Sequence, residues 1–235
     1  MERYARNASC IAEKETEYLH SRHVAIVGLG GLGGYAAELL ARVGVGRITG
    51  IDDDRVEVTN LNRQLLANEA TLGMLKVMAA EQRIMAVNPD VVFRPLNVRL
   101  DAENAEELLA GSDLVLDCSD GIPTRLVLEA ATERLGIPLV HGAIAGWYGQ
   151  VGVCFPGDRL LSAYYAGCED AGAEADLGNP SFTPAVVAAL QAAEAVKVLL
   201  NRGDILRGRL LYLDLLQHQY DVLDMGENQA REEKS

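Results

Sequence analysis

The chain has 235 residues, 49% hydrophobic and 23% charged, a composition that fits an ordered globular protein long enough for one α/β domain with a real core. Its 34 acidic and 21 basic residues leave a formal net charge of −13, which repels nucleic-acid phosphates and anionic membranes and argues against both as partners. No run approaches the roughly 18 consecutive apolar residues of a membrane span, and the charged opening "MERYARNASCIAEKETEYLH" is unlike a signal peptide, so the expected location is the cytoplasm.

Residues 1–22, polar with scattered apolar positions, read as an N-terminal helical arm. "HVAIVG" (23–28) is a buried strand, and after a glycine run a helix covers Leu32–Val43 and stops at Gly44. "RITGIDD" (47–53) is a second strand, the pattern over 72–88 is helical with Pro89 just beyond it, and "VVFRPLNV" is a third strand. "DAENAEELLAG" reads as a helix with an Asp N-cap and a Gly stop. "DLVLDCSD" (113–120) is a fourth strand ending in carboxylates, followed by a helix over about 123–135 and the strand "PLVHGAI" (138–144). This alternation predicts an α/β, Rossmann-like doubly wound sheet, mostly parallel, with right-handed crossovers. Past residue 145, "WYGQVGVCF" and "GRLLYLDLLQHQYDVL" predict an antiparallel C-terminal extension, with one long helix over 183–200 apolar enough to be buried on most faces. Residues 157–182 read as a flexible crossover and 224–235 as a frayed tail, so that 23–223 form a single domain.

The strand–turn–helix at 23–43 carries G-x-G-x-x-G as Gly28, Gly30 and Gly33, with an extra Gly31, and Asp52 closes the second strand. Glycines let backbone approach a phosphate, the helix N-terminus offers unpaired N–H groups, and an acid on the second strand suits a ribose. That pattern predicts a nucleotide without saying which.

Further residues discriminate. Asp54 follows Asp52, and "VEVTNLNRQ" places Asn60 and Arg63 three apart, on one face if the turn is helical. Lys76 opens the next helix. A hydride-transfer enzyme has no evident use for an arginine and a lysine near the phosphates; an enzyme that cleaves a triphosphate does, because charge builds there during displacement. Asp120 falls at the carboxyl edge of the sheet, where ligands of open α/β sheets bind, and a lone carboxylate there suits Mg²⁺ or caps the following helix.

Together, "GLGGLG", "DDDRVEVTNLNRQ", Lys76, "LVLDCSD", "GQVGV" and "LQAAEAVKVL" resemble the ubiquitin-activating-enzyme-like (E1-like) superfamily, in its bacterial branch that activates sulfur-carrier proteins for molybdopterin and thiamine synthesis (the MoeB/ThiF type). The resemblance spans roughly residues 2–220. It implies an adenylyltransferase that binds Mg-ATP and the C-terminal Gly-Gly tail of a small ubiquitin-fold carrier, whose carboxylate attacks the α-phosphate to give an acyl-adenylate and pyrophosphate. On this resemblance Gly31 approaches the phosphates, Asp52 holds the ribose, and Asn60, Arg63 and Lys76 contact the triphosphate. Arg63 meets charge at the reacting phosphate, and Asp120 is the metal and reaction-centre carboxylate. "RYARN" resembles the family's R-Y-x-R-Q, which makes Arg6 a residue of the partner subunit's ATP site and the enzyme a homodimer.

The chain departs from that family in three places. The two C-x-x-C pairs of its structural zinc are missing, so zinc is not expected; Cys10, Cys118, Cys154 and Cys168 are widely separated. Gly121 stands where Asn is usual after the aspartate. Cys168 lies near where some members carry a cysteine for thioester or persulfide chemistry, although a lone cysteine in an acidic loop is more often incidental. Adenylation of another carboxylate or of a tRNA base, an NAD-dependent oxidoreductase and an inactive scaffold are the alternatives. The acidic composition weighs against tRNA, Arg63, Lys76 and Asp54 against NAD, and the intact Arg63, Lys76 and Asp120 against a scaffold.

Overall fold

The computed structural model describes residues 2–168 and 177–225. One eight-stranded sheet organises the chain, in the order β3-β2-β1-β4-β5-β6-β7-β8. Its parallel half comprises β1 (His23–Val27), β2 (Arg47–Ile51), β3 (Val92–Leu96), β4 (Leu114–Asp117) and β5 (Leu139–Ala145). The antiparallel half adds β6 (Tyr148–Cys154), β7 (Arg209–Asp214) and β8 (Gln219–Asp224). The predicted α/β architecture, doubly wound with an antiparallel extension, is the one observed.

Both faces of the sheet are covered, because alternate residues of each strand point to opposite sides. From β1, Val24 and Ile26 enter the core under α1 (Glu13–His20), α2 (Gly33–Val43), α3 (Lys76–Val87) and α7 (Phe182–Leu200). Ala25 and Val27 enter the other, under α4 (Ala105–Leu109), α5 (Ile122–Leu135) and α6 (Leu160–Tyr164). By length and composition α7 could cross a membrane, yet half of it is buried, against α2, β5 and β6, as the apolar pattern over 183–200 predicts for a core helix.

Three local expectations change. Helix α3 starts at Lys76 rather than at 72, because Leu75 is extended and bridges Arg55. Asp101 is not the N-cap of α4; its Oδ1 accepts the N–H groups of Glu103 and Asn104 in a turn ahead of the helix, and Asn104 takes the cap position. The crossover expected to be flexible over 157–182 contains α6, whose Leu160 and Leu161 are buried and whose Leu161 and Ser162 N–H groups donate to the buried Glu129 carboxylate at 2.6 and 2.9 Å. A cap supplied by a distant helix leaves no local sequence pattern. Residues 169–176 of that crossover, and all but the first two residues of the expected tail, lie outside the described residues.

Candidate active site

From β1 the chain runs out through β2 to β3 and then returns to β4 on the other side of β1, so the strand order reverses between β1 and β4. Ligands of open α/β sheets bind at that switch point, beyond the carboxyl ends of the strands. A cleft of about 330 Å³ opens there.

The glycine run makes its floor. Gly28 has φ +87°, and a Cβ on it would stand 2.5 Å from the carbonyl oxygen of Cys118, where β4 passes. A Cβ on Gly33 would lie 1.8 Å from the Gly28 carbonyl oxygen, so both positions must be glycine for the turn to close. Gly33 therefore packs the turn and does not line the cleft, whereas Gly28, Gly30 and Gly31 do. Among the described residues the N–H groups of Gly31 and Leu32, at the start of α2, meet no protein acceptor. They add to the positive end of the helix dipole and suit an anion.

Asp52, Asp54 and Lys76 form one wall. Asp52 accepts the Leu29 N–H at 2.7 Å and the Asp54 N–H at 2.8 Å, which fastens the glycine loop to the end of β2. Burial pushes its carboxyl above the ordinary value against the pull of Lys76 and those two N–H groups. Lys76 Nζ donates to Asp54 at 2.7 Å and stands 3.9 Å from Asp52; its side chain is only 8% exposed. The three acids Asp52, Asp53 and Asp54 bring carboxylate oxygens within 4.8 Å of one another. Lys76 stands against two of those carboxylates and offsets one charge.

Arg63 also lines the cleft, its Nη1 donating to the Thr59 carbonyl at 2.8 Å and to Asn62 Oδ1 at 2.9 Å. Asn62 in turn donates to the Asn179 carbonyl at 3.0 Å. Asn60 does not line the cleft. It is buried, and its Oδ1 accepts the Glu57 N–H at 3.0 Å to hold the 3-10 turn Val58–Asn60. That turn ends at Asn60, and Arg63 lies beyond it, so the two side chains do different jobs despite their spacing of three.

Asp120 lines the cleft too, exposed in the turn between β4 and α5, with no hydrogen bond or ion pair to another described residue. Residues not singled out from the sequence complete the cleft: Val98 and Leu100 as an apolar wall after β3, with Gln64, Ser119, Thr124 and Asn179. Their one legible signal was position, since 98–100 and 119–124 follow strands at their carboxyl ends.

Arg6 lies elsewhere. Tyr4 packs on Gly44 at the C-terminal end of α2 and its hydroxyl accepts Asn88 Nδ2 at 2.8 Å, while Arg3 donates to the Val87 carbonyl at the end of α3. Helix α2 begins at the cleft and runs back for 11 residues, about 16 Å at 1.5 Å per residue, so this segment sits at the far edge from its own cleft. Cys168 is exposed just past α6 and does not line the cleft; Cys118 lines it but is buried, which pushes its thiol well above the ordinary value. Among the described residues no cysteine or histidine joins a group able to hold a metal.

Comparison with known proteins gives the family. Residues 4–234 match the model of the ThiF family. The chain is 38% identical over 208 residues to the SAMP-activating enzyme E1 of Haloferax volcanii, covering 87% of this chain and 77% of that protein. It is 40% identical over 221 residues to the sulfur carrier protein adenylyltransferase of Thermus thermophilus, covering 90% and 82%. Among solved structures, E. coli MccB with ATP superposes with a TM-score of 0.81 at 21% identity over 96% of this chain and 72% of that one, a likeness of fold. A match over nearly the whole chain, together with relatives this similar, is decisive: the chain belongs to the ThiF family.

Proposed function

We propose that this protein is an ATP-dependent adenylyltransferase that activates the C-terminal glycine carboxylate of a small ubiquitin-fold sulfur carrier. The observation that carries the reading is the cleft itself, where a helix N-terminus, Lys76, Arg63 and Asp120, unpaired among the described residues, converge on one strand edge. The names of two relatives, a sulfur carrier protein adenylyltransferase and a SAMP-activating E1, support a carrier as the substrate.

In this reading the adenine lies against Val98 and Leu100, and the ribose faces Asp52, whose carboxylate has acceptor capacity beyond its two backbone bonds. The phosphates run over Gly30 and Gly31 toward the N–H groups of α2. Lys76 and Arg63 offset phosphate charge so that an anionic carboxylate can approach. A carboxylate oxygen of the carrier then forms a bond to the α-phosphorus, the bond to the bridging oxygen breaks, and pyrophosphate leaves with that electron pair. No proton transfer is needed. Arg63 gives up its two bonds on its own loop to meet charge that grows during the displacement. Asp120, with no partner among the described residues, fits Mg²⁺, which takes one or two carboxylates with substrate phosphates and, when bound, would neutralise triphosphate charge.

Residues 23–223 form the adenylation domain, and 1–22 an arm that carries Arg6 to the cleft of a second copy in a cytoplasmic homodimer. The placement of Tyr4 at the far edge from its own cleft supports that arrangement. The test is ATP–pyrophosphate exchange with and without a candidate carrier ending in Gly-Gly, beside thermal melting with Mg-ATP or NAD. ATP at 100 times its dissociation constant adds about 2.7 kcal/mol and raises the midpoint, while NAD does little. Stabilisation by NAD alone, with no exchange, ends the reading.

A further inference from the structure

Beneath the Ser119–Asp120 turn lies a closed ring of hydrogen bonds that the adenylation chemistry above does not use. Arg125 Nη1 donates to the Tyr165 hydroxyl at 2.9 Å, and that hydroxyl meets His141 Nε2 at 3.3 Å. His141 Nδ1 meets Asp117 Oδ2 at 2.7 Å. Asp117 Oδ1 accepts the Ser119 hydroxyl at 2.6 Å and its N–H at 3.0 Å, and Arg125 Nη2 donates to the Ser119 carbonyl at 3.3 Å. Asp117 and His141 are wholly buried. Burial opposes the charge on Asp117, but the histidine and Arg125 outweigh it and hold its carboxyl below the usual range. Burial holds the His141 imidazole below its ordinary value despite Asp117, so the ring is neutral. A carboxylate can only accept, which puts the imidazole proton on Nδ1 and leaves Nε2 to take the tyrosine proton. Every donor in the ring then points from the Arg125 cation toward the Asp117 anion.

We propose that His141 is a positioning residue for Asp120: by donating to Asp117 it sets the Ser119–Asp120 turn that carries the reaction-centre carboxylate. The inference rests on the adenylation reading for the role of Asp120, and on the ring alone for the turn. Two observations favour positioning over packing. Helix α5 begins after Gly121, which brings no capping side chain, so beyond the Arg125 N–H on the Gly121 carbonyl the turn is held by the ring beneath it. Asp120 itself has no partner among the described residues, so its place there depends on the backbone beneath it. A misplacement of 1 Å at a reaction centre costs on the order of a hundredfold in rate.

The experiment compares His141→Asn with His141→Gln in the full chain. An asparagine amide nitrogen falls near the place of Nδ1 and still donates to Asp117; a glutamine nitrogen reaches the place of Nε2 and leaves Asp117 short. Both keep a polar amide in the cavity. With exchange present in the wild type, His141→Gln should lower the maximal exchange rate about thirtyfold with KM for ATP within twofold, and His141→Asn should stay within about threefold of wild type. Amide hydrogen exchange gives a second readout that needs no activity: Ser119, Asp120 and Gly121 should lose protection at least tenfold in His141→Gln alone, with the amides of α7 unchanged. Equal rates and equal protection in the two variants overturn the proposal, as does a loss confined to KM or loss of protection spread over the whole fold. An inactive wild type with the expected protection difference sinks the adenylation reading and leaves the ring's hold on the turn standing.

Discussion

Asp52 and Asp117 stand just past or at the carboxyl ends of β2 and β4, on the same edge of the same sheet, and both are mostly or wholly buried. Their chemistry diverges. At Asp52 burial wins and the carboxyl rises; at Asp117 the hydrogen bonds win and it falls. Asp52 faces the cleft and is met by two backbone N–H groups, with Lys76 drawn off to Asp54. Asp117 faces away from it and meets His141 and two donors of Ser119. The difference separates groups that wait for a substrate, which are left short of partners, from groups that hold the scaffold, which are saturated by it.

The strongest way to break that comparison is to remove a waiting group. In the adenylation reading, Arg63→Ala should bind ATP almost normally and lose pyrophosphate exchange by on the order of a thousandfold, as arginines that serve transferring phosphoryl groups do. Asp120→Asn should be nearly as inactive. Exchange at the wild-type rate in Arg63→Ala would make it a surface cation.

Asp52→Ala should act on binding instead. A ribose contact is made equally before and during reaction, and a hydrogen bond to a charged group is worth about 1.5–3 kcal/mol, so KM for ATP should rise roughly ten- to a hundredfold with the maximal rate little changed. A rate loss without a KM change would move Asp52 into the scaffold class.

Within the glycine run the same division holds. Gly33→Ala drives a Cβ to 1.8 Å from a backbone oxygen, while on Gly30 it meets only the Gln64 side chain at 3.5 Å. Overpacking costs about 3 kcal/mol at the upper end, or about 6–12 °C in a chain of this size, so Gly33→Ala should melt early. Gly30→Ala should melt within about 2 °C of wild type and weaken ATP instead, an offset read by differential scanning fluorimetry with and without nucleotide.

The smallest effect is in pH. His141 and Asp117 are both held below their ordinary values, so below about pH 6.5 the unfolded chain binds protons that the folded one refuses. Their contribution is present above that pH and is lost as the pH falls, with a slope of at most about 1.4 kcal/mol per pH unit for one proton. The melting midpoint should therefore decline from pH 7 to pH 5, and His141→Asn, which cannot titrate, should flatten that decline. An unchanged slope in His141→Asn would mean that other groups carry it.

What the sequence by itself determined was local. Apolar runs marked every described strand and period-3.6 patterns nearly every described helix, and the strand–glycine–helix unit with Asp52 announced a nucleotide, because each signal lies within a few turns of chain. Gly28, Gly30, Gly31, Asp52, Asp54, Arg63, Lys76 and Asp120 do converge on one cleft. Only the tertiary structure decided which of them face it. Gly33 packs the turn against Gly28, Asn60 holds a 3-10 turn, and the arm bearing Arg6 packs at the opposite edge of the sheet. The buried ring was invisible for the same reason: Asp117 and His141 meet because β4 and β5 pair in parallel, and Tyr165 reaches them only because Glu129 caps α6. Partners so far apart in the chain share no periodicity, and strand order alone brings them within hydrogen-bonding distance.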